Sequence, residues 1–323
     1  MTRRGRLLAA IAAVLLGLAA LSLLGGWFSA GPLQAEKAFV VPDGASLGTV
    51  AAKLEQAGAI KSADSFRLRA RLFGGGAPIK AGEFLLPKGV SPSQILAILQ
   101  GDELLRRFVT VPEGMPSIMV YERLMAQPLL TGSIAVPPEG SILPDTYEIE
   151  RSETRQAVLL RMQTAMQRTV AELWAKRAPG IAVSTPQQAL ALAAIVEKET
   201  GKPSERRIVA GLYSNRLRQG IMLQADPTII YPITQGKPLG RRIRQSEIQA
   251  INDYNTYSMI GLPKGPITNP GKASIQAVLN PAKTDALYMV ADGTGGHLFA
   301  STLEQHNANV ERWFTIRRAR GEI

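Results

Sequence analysis

The stretch STPQQALALAAIVEKETG, residues 184–201, decides the fold of the C-terminal part of the chain. Thr185 suits an N-cap, Pro186 suits the first helical position, and Gln188 at N3 completes a capping box. The residues that follow are almost all apolar, so the stretch predicts a buried helix. The helix ends on the charged triplet EKE, which is either a solvated helix end or part of a site.

Helix phase separates the two glutamates of this triplet. At 100° per residue, Glu197 shares a face with Ala193 and Ala194, whereas Glu199 lies about 200° away beside the bulkier Ile195. Small residues leave room for a substrate or for a closely packed neighbour, and a carboxyl near the end of a buried helix is partly desolvated, as a general acid requires. Glu197 is therefore the better catalytic candidate, and the two carboxylates are not expected to work as a pair.

Composition excludes several kinds of chemistry. The 323 residues include no cysteine, which excludes disulfides, thiolate nucleophiles and cysteine-based zinc sites, and only two histidines, too few for a His-rich metal cluster. The formal net charge is +11, but no basic run alternates with aromatic residues as nucleic-acid binding requires. Basic faces near anionic lipid or an acidic polymer explain the charge more simply.

The N-terminal sequence predicts a membrane helix. Residues 7–28, LLAAIAAVLLGLAALSLLGGWF, carry no charge over 22 residues, and a helix of that length spans roughly 30 Å of hydrocarbon. The positive flank MTRRGR, residues 1–6, predicts a cytoplasmic tail, and Trp27 suits an interfacial anchor. A cleaved signal peptide is the alternative, because Ala30 and Ala35 are small.

One local pattern occurs three times after this segment. VVPDGASLGTVAAKL from Val40, LLPKGVSPSQILAIL from Leu85 and TVPEGMPSIMVYERL from Thr110 each join an apolar pair or near-pair to a Pro-x-Gly turn and an amphipathic stretch. Each predicts a strand, a turn and a helix, with a serine as the N-cap. The spacing is unequal, so a solenoid is not predicted, and residues 38–107 resemble, weakly, a small lysin-motif-like α/β module.

The rest of the chain, residues 108–320, is predicted to form a mixed α+β domain. It offers a long helix from about residue 154 to residue 177, a hairpin between ALYMV and HLFA, and a terminal helix. Between these elements, amides, tyrosines, Gly and Pro crowd into loops. Such a composition suits carbohydrate, whose hydroxyls need fixed polar partners, although ordered Asx turns without a ligand are as good an explanation for any single residue.

The chain resembles the endolytic murein transglycosylases, which are single-pass inner-membrane enzymes of bacterial peptidoglycan. The resemblance rests on five motifs in order between residues 144 and 309, and it extends loosely back to residue 38. The motifs are LPDTYEI, AAIVEKETG, NRLRQGIMLQADPTIIY, NDYNTYSMIGLPKGPITNPG and LNPAKTDALYMVADGTGGHLFASTLEQHN.

The resemblance implies a lyase that cleaves the β-1,4 bond between N-acetylmuramic acid and N-acetylglucosamine in nascent strands, leaving 1,6-anhydro ends and limiting strand length. Its catalytic acid, the first glutamate of the E-K-E-T motif, falls on Glu197, while Glu199 is expected to support the site. Residues expected to bind or orient substrate are Asn215, Gln224, Asp226, Asn255, Tyr257 and His297. No metal or organic cofactor is implied.

Two alternatives stay open at this stage. If Asp226 approached the scissile bond together with Glu197, the protein would be a muramidase or glucosaminidase, since ordinary glycosidases need two carboxyl groups. The chain could also be a wall-binding scaffold without activity. By resemblance, the partners are glycan strands and peptidoglycan synthases, and the location is the inner membrane with the C-terminal domain in the periplasm.

Overall fold

A computed structural model describes residues 3–323, and their contacts divide the chain into two compact units. One unit runs up to Arg106 and the other runs from Arg107 to Ile323. The fold is mixed α+β, and each of its small sheets pairs two strands.

The first unit is built around one antiparallel strand pair. Its elements are α1 Arg3–Phe28, β1 Lys37–Val41, α2 Leu47–Gln56, α3 Ala63–Phe73, β2 Gly82–Leu86 and α4 Pro92–Gln100. β1 and β2 pair with Phe39 opposite Phe84, and both rings face the core. The predicted strand, turn and helix order is confirmed at both positions, with Ser46 and Ser91 as the N-caps of α2 and α4.

The prediction of a transmembrane helix at residues 7–28 is wrong. In the part of the chain that the structure describes, no helix is both long enough and apolar enough to cross a bilayer. Trp27, expected at a membrane interface, is 2% exposed and lies 5.7 Å, ring to ring, from Phe66. Arg69 donates hydrogen bonds to the carbonyls of Ser22 and Gly26, so the end of α1 is part of this unit's core. The predicted tail at residues 1–6 begins outside the described residues.

The second unit combines a helical core with two antiparallel sheets of two strands each. Its elements are β3 Arg107–Thr110, α5 Ser117–Met125, β4 Thr146–Ile149, α6 Arg155–Ala175, α7 Pro186–Glu199, α8 Arg206–Arg218, α9 Pro227–Thr234, α10 Gln245–Ile248, α11 Lys272–Leu279, β5 Tyr288–Ala291, β6 His297–Ala300 and α12 Leu303–Ala319. A 3₁₀ turn, Pro203–Glu205, joins α7 to α8. β3 pairs with β4, and β5 pairs with β6 across the glycine turn that the sequence predicts.

The core of this unit forms around α7. α7 packs against α8, α11 and α6, and its residues 191–196 are all buried. At its start, Thr185 Oγ1 accepts from the amide of Gln188, as predicted, but Gln188 Oε1 accepts from Ser184 rather than from the N-cap amide. Thr185 is therefore the N-cap as predicted, the return bond of the predicted capping box goes to Ser184 instead, and α7 keeps the predicted phase.

The third repeated pattern also forms a strand and a helix, but its cap differs from the prediction. Pro116 occupies the N-cap position of α5, and Ser117 is buried with its amide donating to Glu139 Oε1 at 2.8 Å. The lysin-motif resemblance and the predicted domain boundaries stay predictions of the sequence.

Candidate active site

A polar cavity of about 450 Å³ lies in the second unit at the C-terminal end of α7. α7, α8, the segment before α9, the loop around Tyr257 and α12 all contribute to its wall. The lining residues are Lys198, Glu199, Leu212, Tyr213, Arg216, Leu223, Gln224, Asp226, Pro227, Ile230, Tyr257, Met289 and His306. Two carboxyl groups, two phenols, a guanidinium and an imidazole therefore meet in one concave site.

Glu199, the last residue of α7, is the most strongly perturbed acid in this cavity. Burial raises the pKa of its carboxyl to about 7, the negative charge of Asp226 adds to the rise, and Tyr213 and Arg216 oppose it. Its Oε1 atom is buried and makes no hydrogen bond with any residue that the structure describes. Such a carboxyl can give up and take back a proton near neutral pH.

Arg216 on α8 fixes one wall of the cavity. Its guanidinium donates to the carbonyls of Met222 and Leu223, both at 3.0 Å, to that of Leu287 at 2.6 Å, and to Gln224 Oε1 at 3.2 Å. Gln224 has a left-handed backbone with φ +52°, which turns the chain sharply before Asp226. The buried arginine therefore sets the position of the loop that carries Gln224 and Asp226.

Asp226 and Tyr257 form a pair on the same wall. The Tyr257 hydroxyl donates to Asp226 Oδ1 at 2.6 Å, and burial together with this carboxylate raises the pKa of the phenol. Behind them, Thr228 and Thr256 share a hydroxyl hydrogen bond of 2.8 Å, and both are fully buried. The predicted site residues Gln224, Asp226 and Tyr257 thus do come together in one cavity.

The structure places Glu197 outside this cavity. Its side chain is only 6% exposed, Oε2 accepts from the amide of Gly271 at 2.9 Å, and Oε1 lies 3.8 Å from Arg206 Nη2. The same guanidinium donates to Glu113 at 3.0 Å. The two glutamates point to different sides of α7 as predicted, but the cavity opens on the side of Glu199. Glu197 instead joins α7 to Gly271, the N-cap of α11, and to Arg206 at the start of α8.

Three other predicted site residues brace the fold rather than line the cavity. Asn215 donates to the carbonyls of Thr284 and Ala286. Asn255 is fully buried, donates to three carbonyls between residues 247 and 250, and accepts from the amide of Tyr257. His297 lies at the start of β6, with Nδ1 2.8 Å from Glu205 Oε2.

The cavity also contains Tyr213, Arg216 and His306, for which the sequence predicts no role, and Glu199, which is predicted only to support the site. His306, from the motif STLEQHN, stacks on Tyr288 with ring centroids 5.2 Å apart, and burial and Arg216 lower its pKa. Arg216 stands next to the predicted Asn215 in NRLRQG, and the structure places Arg216 rather than Asn215 in the cavity wall. Among the described residues, no group of three or more histidine or acidic side chains is placed to hold a metal ion.

Comparison with known proteins agrees with this arrangement of motifs. Residues 39–312 match the model of the YceG-like family. A Streptococcus pneumoniae (strain D39) protein named endolytic murein transglycosylase is 28% identical over 84% of this chain, which spans 57% of that relative. A Bacillus subtilis (strain 168) protein of the same name is 25% identical, with coverage of 85% of this chain and 84% of the relative.

A solved structure has a similar fold. The crystal structure of a yceG-like protein from Listeria monocytogenes aligns with a TM-score of 0.55 and 25% identity, covering 84% of this chain and 98% of that one. These matches and the family model confirm the resemblance that the five motifs indicated. The chain belongs to the YceG-like family.

Proposed function

We propose that this protein is an endolytic lytic transglycosylase of peptidoglycan and that Glu199 is its single acid and base. The observation that carries the proposal is the buried carboxyl of Glu199, which has a pKa of about 7 in a cavity lined by polar groups. The relatives named endolytic murein transglycosylase supply the substrate class.

The reaction needs only one carboxyl group. Protonated Glu199 donates its proton to the glycosidic oxygen as the bond from that oxygen to C1 of N-acetylmuramic acid breaks. The resulting carboxylate then takes the proton of the muramoyl C6 hydroxyl while the oxygen of that hydroxyl forms its bond to C1. The products are a free N-acetylglucosamine hydroxyl and a 1,6-anhydro-muramoyl end, and no water is consumed.

The neighbouring residues support these two proton transfers. Burial, and after it the negative charge of Asp226, make the Glu199 anion less favourable, so a substantial share of the acid stays protonated near neutral pH. Tyr257 and Asp226 hold each other, and Gln224 is fixed by Arg216, so polar groups are preorganised beside the acid. Glu197, by contrast, accepts a hydrogen bond from the Gly271 amide and pairs with Arg206.

Hydrolysis is the second candidate, because Asp226 lies in the same cavity as Glu199. A water-using glycosidase needs two carboxyl groups, one as the acid and the other as the nucleophile or base. Since the substrate lies outside the cytoplasmic membrane, we also propose that the second unit works in the periplasm. Contact with peptidoglycan synthases and a preference for nascent strands stay predictions of the resemblance.

The test is mass spectrometry of sugars released from purified peptidoglycan by the full chain, by Glu199→Gln and by Glu197→Gln. We expect 1,6-anhydro ends from the wild type, none from Glu199→Gln, and the same ends from Glu197→Gln. Circular dichroism establishes that both variants are folded. Activity lost only in Glu197→Gln would return the role to Glu197, and reducing ends would identify a hydrolase.

No release by any of the three proteins would refute the enzymatic proposal. Glycan binding that persists without cleavage would then favour the scaffold alternative, and a binding assay on the same three proteins measures it.

A further inference from the structure

A second cavity of about 450 Å³ adjoins the candidate active site within the same unit. Lys198, Pro227 and Ile230 line both cavities, so the two cavities lie side by side. The remaining lining comes from the segment before α5, the start of that helix, and the loop after α9. These residues are Pro112, Glu113, Gly114, Met115, Pro116, Met119, Gly236, Lys237, Pro238, Leu239 and Ile267.

The second cavity differs in chemistry from the first. Its wall consists mainly of proline, methionine, leucine and isoleucine side chains, whereas the wall around Glu199 carries acids, phenols and a guanidinium. A sugar ring with hydroxyls in every direction would leave many of them without partners here, which costs free energy. Methyl-bearing groups suit this wall.

The wall is held in place by buried hydrogen bonds. Asn269 is fully buried. Its side-chain amide donates to the carbonyl of Met115 at 2.9 Å, and its backbone carbonyl accepts from the amide of Gly114 at 3.0 Å. Gly236 has φ +84°, and a Cβ there would lie 2.7 Å from Pro116 Cβ, so the loop after α9 approaches α5 as closely as glycine permits. The cavity is therefore a formed site and not a gap between mobile loops.

One cation at the junction has no acidic partner. Within the part of the chain that the structure describes, Lys198 makes no ion pair, and it borders both cavities. The other charges of the second cavity are already paired, since Lys237 contacts Glu122 at 2.5 Å and Glu113 contacts Arg206 at 3.0 Å. The unpaired charge available to a ligand is thus positive.

We propose that the second cavity binds the stem peptide of the muramoyl residue at the scissile bond, an inference that rests on the proposed function. The peptide is attached to the lactyl group of the same sugar whose C1 reacts, so it must lie beside the catalytic cavity. Its alanyl methyl groups match the apolar wall, and its carboxylates match Lys198. The enzyme would then select peptide-bearing strands over stripped ones.

The test compares two substrates that differ only in the peptide. Glycan strands are used intact or after an amidase has removed their peptides, and kcat and KM are measured for each. The variant Met119→Trp fills the cavity, and Leu160→Trp, on the exposed face of α6, is the matched control. We expect the wild type to prefer the peptide-bearing strands by about tenfold in kcat/KM, the size of one good binding contact.

Met119→Trp should raise KM for peptide-bearing strands by about the same factor and leave the values for stripped strands unchanged. Leu160→Trp should change neither. Equal cleavage of both substrates by the wild type would overturn the inference, as would an equal loss on both in Met119→Trp, which would assign the cavity to glycan.

A binding measurement separates failure of this inference from failure of the proposed function. If the wild type cleaves neither substrate, titration with free muramoyl-pentapeptide still tests the cavity. Binding that Met119→Trp weakens and Leu160→Trp leaves intact supports the inference, and no binding by the wild type overturns it.

Discussion

Replacing Glu199 with glutamine should change how stability depends on pH. The folded protein raises the pKa of this carboxyl from 4.5 to about 7. A difference of about 2.5 pH units, at 1.36 kcal/mol each, corresponds to about 3 kcal/mol. Glutamine has nearly the same shape but no proton to lose, so it isolates this contribution.

The sign follows from which state keeps the proton. Below the unfolded pKa, both states hold the proton and Glu199 costs nothing. As the pH rises towards 7, the unfolded chain releases the proton first, so the wild type loses stability that the variant keeps. Between about pH 4 and about pH 8, the free energy of unfolding of Glu199→Gln should therefore rise by about 3 kcal/mol relative to that of the wild type.

The assay is urea denaturation followed by circular dichroism at both pH values, with wild type and variant measured side by side. Glu139 needs a separate variant, because burial raises its pKa to about 7 as well. Glu139→Gln should show the same sign, and the double variant should show the sum if the two sites are independent. The raised pKa would be refuted if the difference in unfolding free energy between the wild type and Glu199→Gln did not change with pH.

Three further predictions concern the surroundings of the site. Asp226→Asn removes a charge that raises the pKa of Glu199, so the alkaline limb of the rate profile should move down by about one pH unit, as initial rates will show. Gly271→Ala would place a Cβ against the Glu113 carboxylate, which can move aside but would then leave its ion pair with Arg206, so urea titration should show a loss of about 0.5–1 kcal/mol. His297→Phe leaves Glu205 without its 2.8 Å partner, which should cost about 1–3 kcal/mol in thermal unfolding.

For each of these three variants, one result would contradict the prediction. Gly201→Ala is the matched control for Gly271→Ala, because a Cβ at Gly201 meets no atom within 4 Å, and equal losses from both would contradict the packing argument. An alkaline limb that stays in place in Asp226→Asn would show that its charge does not act on Glu199. An unchanged melting temperature in His297→Phe would mean that water satisfies Glu205 equally well.

Local elements were predictable because their causes are local. The caps of α6 and α7 at Thr154 and Thr185, the strands flanking the glycine turn, and the N-caps Ser46 and Ser91 all follow from short-range side-chain chemistry. The polar loops also bring Gln224, Asp226 and Tyr257 together in one cavity, and the binding of substrate by these residues stays a prediction.

Which of the two glutamates faces the cavity depends on contacts between elements that are distant in sequence. Helix phase separated Glu197 from Glu199, and of the two uses that the sequence allows for the small face of Ala193 and Ala194, the structure shows close packing. Both alanines are fully buried, and α11 and α8 pack closely on α7. Which face of a helix stays open depends on the elements that cover the other faces, and those lie far away in sequence.

Asn255 illustrates the same limit for polar residues. An amide in a loop looks like a ligand for sugar hydroxyls, yet here it donates to three carbonyls of residues 247–250. Buried backbone carbonyls need donors, and the sequence does not say which amide will supply them. Trp27 was misassigned for a related reason, since a buried core and a membrane interface both favour tryptophan.

The position of Glu199 at the last residue of α7 has a further electrostatic consequence. A helix carries a partial charge of about −0.5 at its C-terminus, and α7 ends in the wall of the cavity. That fixed negative pole disfavours the anion of Glu199, and a negative pole beside the substrate would also favour the positive charge that C1 gains as the glycosidic bond breaks. In the proposed reaction, the backbone of α7 therefore stabilises the oxocarbenium-like transition state with a charge that no side-chain substitution removes.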